Sequence, residues 1–147
     1  MDRRLPIYLL IDSSGSMRGE PIQSVNVGLS AMLSALRQDP YALETVHLSI
    51  ITFDHEVKEL LPLQPLESAQ VDDIELPRSG ATHMGEGLNK VCDCVERDVR
   101  TATADQKGDF RPMLFVMTDG APSDLMDFEA AVQRIKAMKF SDIIALA

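Results

Sequence analysis

Basic residues are in short supply in this chain: Lys and Arg number 14 against 23 Asp and Glu, for a formal net charge of −9. Phosphate backbones and anionic bilayer surfaces attract clustered Lys and Arg. Here Arg3-Arg4 and Arg78 stand apart, so neither nucleic acid nor membrane is expected as a partner. Cysteine is almost missing too. Cys92 and Cys94 lie two apart in a helix-like stretch, where positions i and i+2 face different directions. A disulfide between them is therefore not expected, and no neighbouring His or Cys supplies zinc-ligand spacing. Both read as packing residues of a protein in the reducing cytoplasm. Long apolar runs are absent: stretches such as Leu5 to Ile11 fall far short of the roughly 18 residues of a membrane-spanning helix. The opening Met-Asp-Arg-Arg-Leu-Pro has neither the apolar region nor the small-residue cleavage site of a secretory leader. There is no internal repeat, no Walker-type phosphate loop and no Gly-x-Ser-x-Gly nucleophile elbow.

What is present is ordinary globular material, 147 residues with 45% hydrophobic and 25% charged, enough for one domain with a core that needs no disulfide or structural zinc. Apolar periodicity switches repeatedly. Leu5 to Ile11 is a nearly continuous apolar run ending at Asp12, the pattern of a strand covered on both faces. Ile22, Val25, Leu29, Met32, Leu33 and Leu36 recur at helical steps, with Pro21 where a first turn tolerates it. Val46 to Phe53 and Val57 to Leu61 read as a hairpin around Asp54-His55-Glu56, which puts one antiparallel strand at a sheet edge. The stretch from Pro62 to Gly80 holds three prolines and reads as a long connection with a short helical turn. A helix through Leu88, Val91, Cys92, Val95 and Val99 follows, then a strand Met113 to Met117, a helix through Phe128, Ala131, Val132, Ile135 and Met138, and a strand Ile143 to Ala147. Alternating strands and helices predict an α/β fold, a doubly wound, mostly parallel sheet with helices on both faces and one antiparallel edge strand. A buried strand is ordinarily followed by a helix that covers the sheet, so residues 1–147 are expected to form a single domain lacking its last helix and strand elements.

In such sheets ligands bind outside the carboxyl ends of the strands, where strand order reverses. Asp12-Ser13-Ser14-Gly15-Ser16 follows the first strand and Thr118-Asp119-Gly120 follows the Met113 to Met117 strand. If those strands are neighbours, both groups offer oxygen atoms at one rim. Ser79-Gly80-Ala81-Thr82-His83 stands before a helix and brings a third hydroxyl. Carboxylates and hydroxyls suit hard cations such as Mg²⁺. Taken singly, each group also reads as a polar turn or a helix cap. Three independent turns are the less economical account of oxygen clusters in this order at strand ends.

Asp12-x-Ser14-x-Ser16, Gly80-Ala81-Thr82 and Thr118-Asp119-Gly120 resemble the metal-ion-dependent adhesion site (MIDAS) of von Willebrand factor type A domains. The resemblance spans the whole chain. It implies direct metal ligation by Ser14 and Ser16, with Thr82 direct or through water, while Asp12 and Asp119 act through bridging waters and hold the hydroxyls in place. The implied ion is Mg²⁺, with Mn²⁺ or Ca²⁺ as alternatives. The segments Arg4-Leu5-Pro6-Ile7-Tyr8, Ser13 to Met17 and Gly19-Glu20-Pro21-Ile22 look like the bacterial TerY branch, linked to tellurium resistance.

What the resemblance implies is a cytoplasmic, non-enzymatic binding module. Its partner would supply an Asp or Glu to the ion, and a protein phosphatase or kinase of the same chemical-stress system is the kind of partner the branch suggests. Two other functions compete: a Mg²⁺-dependent phosphoryl-transfer enzyme on a similar sheet, and a metal-free scaffold. Haloacid-dehalogenase-like phosphatases need a second carboxylate where this chain has Ser14, and response-regulator receivers need an acidic pair after the first strand and a later Lys. His83 has no acid partner for a triad and reads as a solvated loop residue or a rim contact. Asp72-Asp73, Glu75 and Ser123-Asp124 read as solvated surface, and the eight methionines as core.

Overall fold

The computed structural model describes residues 3–13, 17, 19–54, 56–71, 74, 83–105, 107–118 and 125–146. Strand β1 (Leu5–Asp12) leads to helix α1 (Glu20–Arg37), a short helix α2 (Pro40–Thr45), strand β2 (Val46–Phe53) and strand β3 (Val57–Pro65). After a single 3₁₀ turn at Leu66–Ser68 come helix α3 (Met84–Asp98), strand β4 (Met113–Met117), helix α4 (Leu125–Ala137) and strand β5 (Asp142–Leu146). The five strands form one sheet in the order β3-β2-β1-β4-β5. All neighbours are parallel except the β2–β3 hairpin. The expected antiparallel edge strand is β3.

Side chains of β1 alternate between two cores, as the period of a strand requires. Tyr8 and Leu10 point with Ile51, Phe53, Leu114 and Val116 toward α3 and α4. Ile7, Leu9 and Ile11 point with Leu48 and Ile50 toward α1. Burial on both faces is why β1 reads as a continuous apolar run. α1 enters from Gly19, whose φ of 80° lies in the left-handed region that glycine occupies without a Cβ penalty, and Pro21 sits in its first turn.

Two details depart from the sequence expectations. β3 runs on through Pro62 to Pro65, where a connection was expected. Proline is tolerated there because β3 is an edge strand and needs no hydrogen-bond donor on its outer side. α2 was not anticipated; six residues are too few to show a period. Its Asp39 side chain caps it, accepting from the Tyr41 N–H at 2.9 Å.

Candidate functional site

Strand order reverses between β1 and β4: from β1 the chain continues to one side through β2 and returns to the other side at β4. This is the switch point at which open parallel sheets bind ligands. β1 ends on Asp12, which lies opposite Phe53 in the β1–β2 register, and Ile11 lies opposite Met117 across to β4. The residue after Met117 therefore arrives beside Asp12, and the Thr118 hydroxyl donates to Asp12 Oδ2 at 2.7 Å. Asp12 is 0% exposed. A carboxylate stripped of water at that depth is tolerable only with donors or a cation beside it.

A second buried carboxylate stands on the same rim. Asp54 follows β2 and is 4% exposed. Its Oδ2 accepts from the Ser13 hydroxyl at 2.9 Å and its Oδ1 from the Glu56 N–H at 2.8 Å. Ser13 also donates its N–H to the Phe53 carbonyl at 2.9 Å, and the Asp54 carbonyl accepts from the His83 N–H at 2.8 Å. Asp54 thus ties three segments together: the turn after β1, the hairpin turn, and the entry to α3. His83 is a rim contact through its backbone, with its ring Nδ1 3.9 Å from Glu86.

Of the five residues expected to form a metal site, Asp12 takes its place at the switch point. Ser14, Ser16, Thr82 and Asp119 lie outside the described residues, as do Asp72, Asp73, Glu75, Arg78, Ser123 and Asp124. Sequence neighbours of those four do converge: Ser13 and His83 both bind Asp54, and Thr118 binds Asp12. Asp54 was missed as a rim residue. The available signal was its position directly after a strand of the parallel set, the same position that singled out Asp12.

The Glu59, Cys94 and Asp98 side chains also meet, their donor atoms within 4.8 Å of one another. Cys94 therefore does more than pack: its thiol donates to Glu59 Oε2 at 3.0 Å. Burial first, and then this hydrogen bond, push the thiol up to about 12, so it stays protonated near neutrality. Arg97 already supplies the positive charge, reaching Glu59 at 2.5 Å and Asp98 at 2.7 Å. Its hydrogen bond, more than any other influence, holds the Glu59 carboxyl below its ordinary range. Burial, with Asp98 nearby, drives the Tyr8 phenol far above its own. This cluster is an ion-pair hub, complete with its own cation. Cys92 and Cys94 are both free thiols.

Residues 7–146 match the family model of the von Willebrand factor type A domain. The chain belongs to that family. This von Willebrand A domain is 33% identical over 124 residues to the uncharacterized protein sll0103 of Synechocystis sp., an alignment that takes in 81% of this chain and 26% of that protein. The chain therefore spans about a quarter of that relative's length. Among solved structures, proximal thread matrix protein 1 of the mussel byssus superposes with a TM-score of 0.69 at 18% identity, covering 98% of this chain and 38% of the other. The pilus adhesin SpaC of Lactobacillus rhamnosus GG, in its open conformation, gives 0.63 at 18% identity over 83% of this chain and 15% of that one. Such likenesses establish the fold. Domains of this family are typically protein-interaction modules. No helix among the described residues is long and apolar enough to cross a membrane.

Proposed function

We propose that this von Willebrand A domain captures an acidic residue of a partner protein through a divalent ion held at the carboxyl rim of its sheet. The observation that carries the reading is Asp12, a fully buried carboxylate at the β1–β4 switch point, fixed by the Thr118 hydroxyl. The donor chemistry fits a hard cation: the proposed ligands are carboxylates and hydroxyls, with no thiol or imidazole among them. Ser14, Ser16 and Thr82 would hold the ion, Mg²⁺ foremost and Mn²⁺ or Ca²⁺ as alternatives. Asp12 and Asp119 would orient those hydroxyls and balance charge.

The chain's own residues do the positioning. Thr118 occupies one oxygen of Asp12 and so fixes the plane of that carboxylate. Asp54 anchors Ser13 on one side and His83 on the other, the sequence neighbours of Ser14 and Thr82. When bound, the ion supplies an electrophilic centre for a partner's Asp or Glu, and charge-assisted contact there gives orientation and specificity. No bond of the partner is broken. By its resemblance to the TerY branch the domain would serve a bacterial tellurium or chemical-stress system in the cytoplasm, with a protein phosphatase or kinase as the partner.

Thermal unfolding in MgCl₂ or MnCl₂ against EDTA tests the reading. Ion binding to the folded state adds about 2.7 kcal/mol at one hundred times the dissociation constant. The gain should vanish in Asp12→Asn and Ser14→Ala. Superimposable melting curves with ion and with chelator would overturn the assignment. A captured partner should lose binding when its essential Asp or Glu becomes the amide, and in EDTA.

A further inference from the structure

The opposite end of the sheet holds an arrangement that the metal rim leaves unused. At the amino ends of β1 and β4, beside α2, a cavity of about 470 Å³ is lined by Arg3, Leu5, Tyr41, Thr45, Phe110 and Arg111. That volume is within the range of about 300–1,000 Å³ usual for binding pockets. Its apolar wall is made by Leu5 and the rings of Tyr41 and Phe110, with the hydroxyl residues Thr45 and Ser141 beside them, and Tyr41 is 67% exposed.

Both of its charged side chains are positive. The Arg3 guanidinium stacks on Phe110, 4.2 Å from the ring centroid, and donates to the carbonyls of Gly108 at 3.0 Å and Asp109 at 3.3 Å. Carbonyls satisfy N–H groups without cancelling the charge. The Asp109 carboxylate is engaged by Arg4 at 2.6 Å and by the Arg100 N–H at 2.8 Å. Arg111 is exposed and has no hydrogen bond or ion pair among the described residues. In a chain of net charge −9, two arginines facing one cavity with no carboxylate partner among the described residues mark a local reversal of sign.

We infer that this cavity docks an acidic peptide segment of a partner protein, which seats an apolar side chain between Tyr41 and Phe110 and a carboxylate between Arg3 and Arg111. Arginine matches a carboxylate with two parallel hydrogen bonds. Its stacking on Phe110 holds the Arg3 guanidinium in place before the ligand arrives, which lowers the ordering cost of binding. Tyrosine and arginine in a partly enclosed pocket are also the residue types that dominate binding energy at protein interfaces. The surface is independent of the metal rim.

The probe is the peptide acetyl-Gly-Asp-Phe-Glu-Gly-amide, titrated in EDTA into ¹⁵N-labelled protein, with the Asn/Gln form of the peptide as its uncharged control. Saturable shifts are expected for the amides of Leu5, Tyr41, Phe110 and Arg111. The control peptide and the Arg111→Glu variant should each bind about tenfold more weakly, a difference of about 1.4 kcal/mol. Arg111 is exposed, so the variant should unfold like the parent protein, and that is measured alongside. Equal affinity for both peptides, undiminished binding to Arg111→Glu, shifts centred on Ser13 and Thr118, or no shifts at millimolar peptide would each overturn the proposal.

Discussion

Arg4 and Asp109 form the clamp that fixes the connection between α3 and β4. Arg4 Nε and Nη2 reach the two carboxylate oxygens at 2.9 and 2.6 Å, and the Asp109 and Arg4 side chains are only 4% and 14% exposed. Burial pushes the Asp109 carboxyl up, but the Arg4 hydrogen bonds, the Arg100 N–H and the two arginine charges outweigh it and hold the group below its usual range. A folded-state pKa below the unfolded value means that the clamp stabilises above the unfolded carboxylate range, near 3.9. That contribution drains away as the pH falls through this range toward the folded value. Asp109→Asn should cost about 2–3 kcal/mol at neutral pH, because Arg4 is left largely buried without its charge partner. Urea unfolding at pH 7 and at pH 3 checks this: the gap between variant and parent should narrow at the lower pH. An equal gap at both, or none at pH 7, would show that the clamp contributes nothing through charge. This pair was not legible in the sequence, where Arg3-Arg4 read as isolated charges, because the partner is 105 residues away. Asp12 was legible because an acid ending a continuous apolar run marks a strand's carboxyl end. Asp54 was hidden by the hairpin, which gave its polarity a sufficient local explanation.

At the scale of elements, the contact between α3 and α4 depends on Gly85. A Cβ there would meet the Phe128 backbone nitrogen at 2.4 Å and the Asp127 carbonyl carbon at 2.6 Å. Both belong to backbone, which cannot rotate away, so Gly85→Ala must push the helices apart. The helix-propensity gain of about 1 kcal/mol is then overridden by an overpacking loss of about 1–3 kcal/mol. Gly28, inside α1, has nothing within 4 Å of its would-be Cβ. Gly28→Ala should therefore raise stability by roughly 0.5–1 kcal/mol. Thermal unfolding of the two variants should give shifts of opposite sign, and a gain from both would refute the tight crossing. Helices and strands with a full period were readable: β2 and β4 have the expected limits and α1 extends around its expected apolar positions, while α3 and α4 each stop one residue short of the last expected position, Val99 and Met138. α2 left only its start signals, the Asp39 cap and Pro40 in the first turn, and the length of β3 was masked by prolines that only an edge strand permits.

Over the whole molecule, alternation of strand and helix makes the parallel sheet readable, but strand order depends on packing between distant segments. The neighbouring of β1 and β4, on which the rim reading was conditional, is a fact of the sheet. That same order places the carboxyl rim proposed to hold the ion and the arginine cavity at opposite ends of β1. Eight residues of strand at about 3.3 Å each put them roughly 25 Å apart. Between them lies the doubly covered sheet, whose β1 side chains from Tyr8 to Ile11 are 0% exposed. Packed interiors of this kind are stiff, and coupling over such a distance requires an element with two discrete arrangements that both sites bias. Among the described residues, the hydrogen bonds to Asp12 and Asp54 come from Thr118, Ser13, Glu56 and His83, none of which lines the cavity. The two sites should accordingly act independently. The peptide's affinity in MgCl₂ should equal that in EDTA, and the destabilisation of Asp12→Ala should be the same, within about 0.5 kcal/mol, whether or not Arg111→Glu is also present. A fivefold dependence of peptide affinity on the ion would mean a coupling free energy of about 1 kcal/mol, matched by an equal effect of peptide on ion affinity. It would also require a second arrangement of α1 or α3, the helices that run along the sheet between its two ends, and would replace the picture of a rigid two-ended adaptor with that of a switch.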